Sequence, residues 1–148
     1  MARKTPYEIL SDFLVSQHFA VIATESKKQP YTNLVSFVCS SDFNHLFFPT
    51  KKQTQKFLNI TENNHVAILI DNRENTPSDL SKAITITAIG CAKVLTQDRD
   101  AIVKLLLQKH PGLSAFLNNP SCVIIEVTVE PYQIVQRFEH VQIIRMVD

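Results

Sequence analysis

Apolar residues recur along this chain in two rhythms, helical at the start and mostly alternating thereafter. Thr5-Pro6-Tyr7-Glu8 has the form of a capping box with proline at the first helical position, and Ile9, Leu10, Phe13 and Leu14 then share one helical face. That spacing predicts a helix over 5–17. Phe19 to Thr24 is a run of strand formers, Lys27-Lys28-Gln29-Pro30 reads as a turn, and Tyr31 to Cys39 is a second strand that completes a hairpin. In this strand Asn33, Val35 and Phe37 lie on one side and Leu34, Ser36 and Val38 on the other, so neither side is purely a solvent face. A ligand wall and a subunit boundary would both produce that mixture.

A third strand is expected over His45 to Pro49, followed by the polar run Thr50-Lys51-Lys52-Gln53-Thr54-Gln55-Lys56 and a short helix carrying Phe57, Leu58 and Ile60. Val66 to Ile70 forms the next strand, capped by Asp71-Asn72-Arg73, and Glu74 to Ser81 is expected to be loop. Ala83 to Leu95 alternates as a long strand, with Gly90 marking a bulge or bend. Asp98 to His110 reads as a helix stopped by Pro111-Gly112, and a short apolar stretch runs from Leu113 to Leu117. Cys122 to Val129 is a strand, Glu130-Pro131 a turn, and Tyr132 to Gln136 and His140 to Met146 further strands. Seven or eight strands joined mostly by short connections favour an antiparallel barrel, because parallel pairing would need a helix in every crossover.

Composition narrows the chemistry. The chain has 148 residues, one domain's worth, and only two glycines, Gly90 and Gly112. Neither GxxxxGK[ST] nor GxGxxG can be written, so a phosphate would have to be held largely by side chains. Fifteen basic residues against fourteen acidic ones argue against a dedicated nucleic-acid surface. The segment Met1-Ala2-Arg3-Lys4-Thr5-Pro6 leads straight into the first helical pattern without a signal-peptide core, and no apolar run is long enough to span a membrane. Cys39, Cys91 and Cys122 are odd in number, without CxxC spacing, and read as free buried thiols of a reducing cytoplasm.

Catalytic constellations are sparse. No GxSxG elbow exists, the five histidines lack HExxH or HxH spacing, so no metal site is expected, and most of them read as surface or turn residues. Glu126, on an otherwise apolar strand, reads as a carboxylate facing water or an interface. No residue stands out as catalytic. The dense signal is Thr50 to Lys56, with two hydroxyls and three ammonium groups between a strand end and a helix start. Beside the unpaired amides of a helix N-terminus, such groups can neutralise and hydrogen-bond a phosphate; a solvated lysine-rich loop capped by Thr54 has the same composition.

The order of segments decides between these. Phe19 to Thr24, Asn33 to Phe37, Leu46-Phe47-Phe48-Pro49-Thr50 with Lys56, Asn63-Asn64-His65-Val66-Ala67, Asp71-Asn72-Arg73 and Gly90 follow one pattern. From about Phe13 to Leu95, and more loosely beyond, the chain resembles the pyridoxamine 5′-phosphate oxidase-like, FMN-binding split-barrel family. The resemblance implies a mainly β, antiparallel Greek-key split barrel of six to eight strands, a single domain that pairs as a homodimer with FMN at the interface. It implies that Asn33, Leu34, Val35 and Ser36 pass the flavin ring, that Pro49 and Thr50 line it, and that Lys51, Thr54, Gln55 and Lys56 surround the phosphate. Asn72 and Arg73 would reach the ring or ribityl chain, and Thr85 and Thr87 would lie near the partner subunit.

The implied activity is that of an FMN-dependent oxidoreductase passing hydride or electrons to a small substrate. Classical members carry a longer C-terminal tail that holds pyridoxal phosphate; this chain ends at Asp148 and has no tryptophan, which argues against vitamin B6 synthesis. Where many relatives have Ser-Arg-Lys, this chain has Thr54-Gln55-Lys56, with Lys51 and Lys52 as replacements for the guanidinium. The alternatives are the deazaflavin F420 or haem in the same fold, or a non-catalytic binding or regulatory dimer.

Overall fold

The computed structural model describes residues 3–146. Helix α1, Pro6–Ser16, starts at the expected capping box, with the Thr5 hydroxyl accepting from the Glu8 amide and the Glu8 carboxylate from the Thr5 amide. Its apolar stripe of Ile9, Leu10, Phe13 and Leu14 is buried against the barrel. Eight strands follow: β1 Phe19–Ser26, β2 Gln29–Ser36, β3 Val38–Cys39, β4 His45–Lys51, β5 His65–Asp71, β6 Ile84–Val94, β7 Cys122–Gln136 and β8 His140–Ile144. Helices α2 Gln55–Glu62, α3 Asp79–Lys82, α4 Arg99–Lys109 and α5 Ser114–Leu117 lie between them, with a 3-10 turn over Pro111–Leu113. The single-turn α3 replaces part of the loop expected over Glu74 to Ser81. It forms because the Asp79 carboxylate accepts from the amides of Glu74, Asn75 and Thr76 and folds the segment onto itself.

Every strand pair is antiparallel, in the order β2-β1-β5-β6-β7-β4-β3, with β8 on β7. The two ends of this order are joined by the chain itself, since β2 runs through Phe37 into β3. The barrel is therefore closed covalently, and along the gap between β2 and β4 it is split. Alternation along the strands sends Ile22, Val35, Leu46, Phe48, Ile68, Ile70, Ile86, Ile125 and Val127 into the interior. A second apolar cluster, Val38, Phe47, Leu106, Leu117, Cys122 and Ile124, packs α4 and α5 on the outside of β4 and β7. The middle of β4 and the start of β7 are thus covered on both faces, which accounts for their nearly unbroken apolar sequence.

Two expectations are corrected. Glu130-Pro131 is a cis bond inside one continuous strand, not a turn between two. Its neighbour β6 is unbroken there: Ala88 faces Tyr132 and Gly90 faces Val129, so Glu130 and Pro131 together oppose Ile89 as a bulge carried by β7. Gly90 beside this bulge is required by a close approach, since a Cβ there would lie 2.2 Å from the Thr128 carbonyl oxygen. The thiols are free but not uniformly buried: Cys122 is buried, Cys39 half-buried and Cys91 exposed on the outer side of β6. Among the histidines, His110 is buried. No helix among the described residues is long and apolar enough to cross a membrane.

Candidate functional site

The open edge of β2 and the end of β4 face each other across the split, and a cleft of about 330 Å³ lies between them. Leu34, Val35 and Ser36 form one side, Pro49, Thr50 and Lys51 the other, and Thr54 and Lys56 stand at the start of α2. An edge strand leaves alternate main-chain amides and carbonyls unpaired, so the β2 side offers backbone donors and acceptors as well as side chains.

The corner between β4 and α2 is fixed by hydroxyl chemistry. Thr54 is the N-cap: its hydroxyl accepts from the Phe57 amide at 3.2 Å and donates to the Lys51 carbonyl at 3.0 Å. The Thr50 hydroxyl lies 3.2 Å from that of Thr54, so both hydroxyls are held together at the helix start. Lys56 is only 9% exposed. Its ammonium sits 5.9 Å from the centre of the Phe48 ring, and among the described residues it has no carboxylate within ion-pair distance. Burial without a counter-charge holds its pKa below the ordinary lysine value. Lys51 is directed over the ring of Phe116, 5.5 Å from its centre. The cleft thus combines a helix N-terminus, two hydroxyls and two cations, a set complementary to a dianionic phosphate.

Eight of the residues singled out from sequence converge here: Leu34, Val35, Ser36, Pro49, Thr50, Lys51, Thr54 and Lys56. Asn33 precedes them on the same strand with its side chain on the inner side, opposite Ile22. Its Oδ1 is buried without a hydrogen-bond donor, and Asn33 does not itself line the cleft. Gln55 does not line the cleft; its amide donates to Asn59 Oδ1 at 2.8 Å, and Asn59 donates in turn to Thr24. The remaining four stand apart within one chain. Asn72 accepts from the Ile84 amide at 2.8 Å, and Arg73 pairs with Asp71 at 2.9 Å and lines a second cleft with His18, Phe19, Val21, Leu34 and Leu69. Thr85 and Thr87 lie on the outer side of β6, opposite Asp71 and Leu69.

Leu113 and Phe116 complete the cleft wall and were not expected there. Their sequence signal was an apolar stretch too short for a strand and following a helix stop, which leaves open what it covers. Glu126 is half-buried on the outside of β7 and pairs with Lys93 at 3.4 Å, consistent with a carboxylate kept near water. No group of three or more metal-ligating side chains occurs among the described residues.

The outer side of β2, β1 and β5 is apolar where solvent would be expected. Phe19 is 62% and Leu34 72% exposed, with Val21 and Leu69 half-buried between them. Leu34 belongs to both clefts, so this surface is continuous with the phosphate-type site.

Comparison with solved structures places this architecture among known proteins. A haem-binding protein from Mycobacterium smegmatis superposes with a TM-score of 0.84 at 13% identity, over 98% of this chain and 60% of that one. This chain therefore spans about three fifths of that protein's length. A FAD-binding protein from Mesorhizobium loti gives a TM-score of 0.67 at 17% identity, covering 88% of this chain and 94% of the other. The haem storage protein HutZ from Vibrio cholerae gives 0.71 at 14% identity, covering 82% and 88%. At these identities the likeness is one of fold. A comparison with curated proteins returned no match. The family described as Pyridoxamine 5′-phosphate oxidase matches residues 8–135, and with most of its length inside that match the chain belongs to the pyridoxamine 5′-phosphate oxidase family.

Proposed function

We propose that this protein binds FMN in the split of the barrel, as a homodimer, and works as an oxidoreductase on a small substrate. The observation that carries the reading is Lys56: a side chain buried along its stem that lines the cleft without a protein counter-ion, beside two hydroxyls and a helix N-terminus. A ligand phosphate would supply the missing charge. The edge of β2 fits a flat heteroaromatic rim. When bound, a flavin supplies the hydride and electron chemistry. The chain's own contribution is to neutralise the phosphate with Lys51 and Lys56, orient it with Thr50 and Thr54, and exclude water with Val35, Pro49, Leu113 and Phe116.

The exposed apolar surface supports the dimer. Phe19, Val21, Leu34 and Leu69 form a patch bordering the cleft, and a second copy covering it would bring Arg73, Thr85 and Thr87 toward the ligand from the partner side. Leu34→Asp is expected to convert a dimer into monomers in sedimentation velocity and to weaken flavin together with assembly. A dimer that survives this change would place the interface elsewhere.

The test of the function is the absorption spectrum of the freshly purified protein, followed by titration with FMN at micromolar concentration. Flavin bands, or saturable quenching of flavin fluorescence, support the reading; a colourless protein that ignores added FMN would sink it. Haem is the second reading, favoured by the half-buried His18 beside Phe19 in the second cleft and by the haem-binding proteins of like fold. A Soret band that disappears in His18→Ala would select it.

A further inference from the structure

His110 lies outside the cleft and ties two of its walls together. It ends α4 and is only 8% exposed. Its Nε2 is 3.0 Å from the Phe37 carbonyl oxygen, and because a carbonyl can only accept, Nε2 carries a proton. Phe37 is the residue that follows Leu34–Ser36, the β2 wall of the cleft, and its own ring is fully buried. In the other direction His110 leads directly into Pro111–Leu113, and its carbonyl accepts from the Leu113 amide at 3.0 Å, placing Leu113 and then Phe116 on the opposite wall. One side chain thus links, through one hydrogen bond and three residues of chain, two walls that no β-ladder joins.

The surroundings suit a neutral imidazole. Lys109 on the same helix lies over the Phe37 ring at 3.9 Å and donates to the Leu14 carbonyl at 2.9 Å. His18, following α1, meets His110 edge-on at 5.7 Å between ring centres, and Phe19 lies at 6.0 Å. On β3, the Cys39 thiol is the ionisable group near Lys109. Among the described residues no carboxylate pairs with this group. Burial and the neighbouring Lys109 and His18 hold the imidazole below its ordinary pKa of 6.5.

We infer that His110 is a positioning residue for the cleft: its Nε2–H bond to the Phe37 carbonyl sets the spacing between the Leu34–Ser36 wall and the Leu113–Phe116 wall. This role rests on the cleft being the ligand site, but the spacing itself can be read without a ligand. Three variants separate the hydrogen bond from mere volume. Gln places an amide N–H near the position of Nε2, Asn is too short to reach, and Ala removes the side chain.

Hydrogen–deuterium exchange should quicken at the amides of Val35–Phe37 and of Leu113–Phe116 together in His110→Asn and His110→Ala. Exchange in β5 and β6 should be unchanged, and His110→Gln should restore both walls. In parallel, FMN as the probe should bind about 10-fold more weakly to the Asn and Ala variants, and within about 3-fold of the parent to the Gln variant, the range one net hydrogen bond commands. If Ala fails to fold, the Gln and Asn pair decides. Unchanged exchange in the walls of the Asn variant, or equal disturbance in Gln and Asn, overturns the positioning role. Wall protection that follows the predicted order in a protein that does not bind FMN would instead overturn the flavin reading and leave the positioning intact.

Discussion

Lys56 and Lys109 are both half-buried or deeper, neither has a carboxylate partner among the described residues, and burial holds both ammonium groups below their ordinary pKa. Their surroundings nonetheless differ in kind. Lys109 donates to the Leu14 carbonyl, one of the last carbonyls of α1 left without an intrahelical donor, and its charge lies 3.9 Å above the Phe37 ring. Its N–H donor is used inside the chain, although burial still disfavours its charge. Lys56 has only a ring at 5.9 Å, while two threonine hydroxyls and a helix N-terminus are gathered beside it. A largely buried lysine left this incomplete at a cleft costs stability, and the arrangement makes sense if its complement is a ligand anion. The comparison separates a lysine whose N–H donor ties two elements of the fold together from one whose charge the fold holds ready.

The largest expected effect falls on the ligand side. Lys51→Ala with Lys56→Ala removes both cations of the cleft, and at about 1.5–3 kcal/mol per charge-assisted hydrogen bond FMN affinity should drop by about 100-fold or more. Fluorescence titration reads it directly; an unchanged Kd would show that the phosphate lies elsewhere.

On the structural side, Lys109→Met leaves the Leu14 carbonyl without its donor. Near pH 10.5, where the burial cost of the charge no longer weighs, a loss of about 1.5 kcal/mol is expected, a fall in Tm of about 3–6 °C for a chain of this size. The same variant carries a pH signature. Lys109 titrates at about 8 in the fold against 10.5 ordinarily, so between these values the unfolded chain binds more protons and stability rises with pH. Denaturant midpoints from pH 8 to 10.5 should rise more steeply in the parent than in Lys109→Met. Equal slopes would mean that Lys109 titrates as an ordinary exposed lysine.

The smallest effect is the sharpest discriminator. Lys56→Met, which keeps the stem and removes the charge, should leave the ligand-free protein unchanged or more stable by up to about 1 kcal/mol, whereas the equivalent change at Lys109 destabilises. If calorimetry finds Lys56→Met as damaging as Lys109→Met, the two lysines are alike and the contrast fails.

Much of this arrangement is legible in the sequence. Thr54 before an apolar helix, with Thr50 and Lys56 flanking it, announces a capped corner because capping and charge are local properties of adjacent residues. Strand rhythm likewise placed Leu34 and Val35 on opposite sides of β2, as they are found. What stayed hidden depends on neighbours distant in sequence. Phe116 gains its place in the cleft from α5 packing against β7, and nothing near Phe116 encodes that. His110 looks like an ordinary helix terminus until Phe37, 73 residues away, supplies its acceptor. Glu130-Pro131 has the local character of a turn, and only the unbroken β6 beside it makes a single strand. Gln55 illustrates a local reading of the opposite sort: it sits in the expected sequence position, but Asn59 holds its side chain away from the cleft.

The split has a consequence for how this protein survives at high concentration. A barrel left open along β2 presents an edge to which another extended chain could add, the first step toward fibrils. The outer half of that edge is guarded: Pro30 has no amide to donate, and the Lys27-Lys28 turn, with both residues at positive φ, puts two charges at its tip. Toward Leu34–Ser36 these guards stop, and the opposing β4 and the Leu113–Phe116 wall narrow the approach to a slot. The stretch of edge left exposed for recognition is thereby too short and too enclosed to seed a growing sheet.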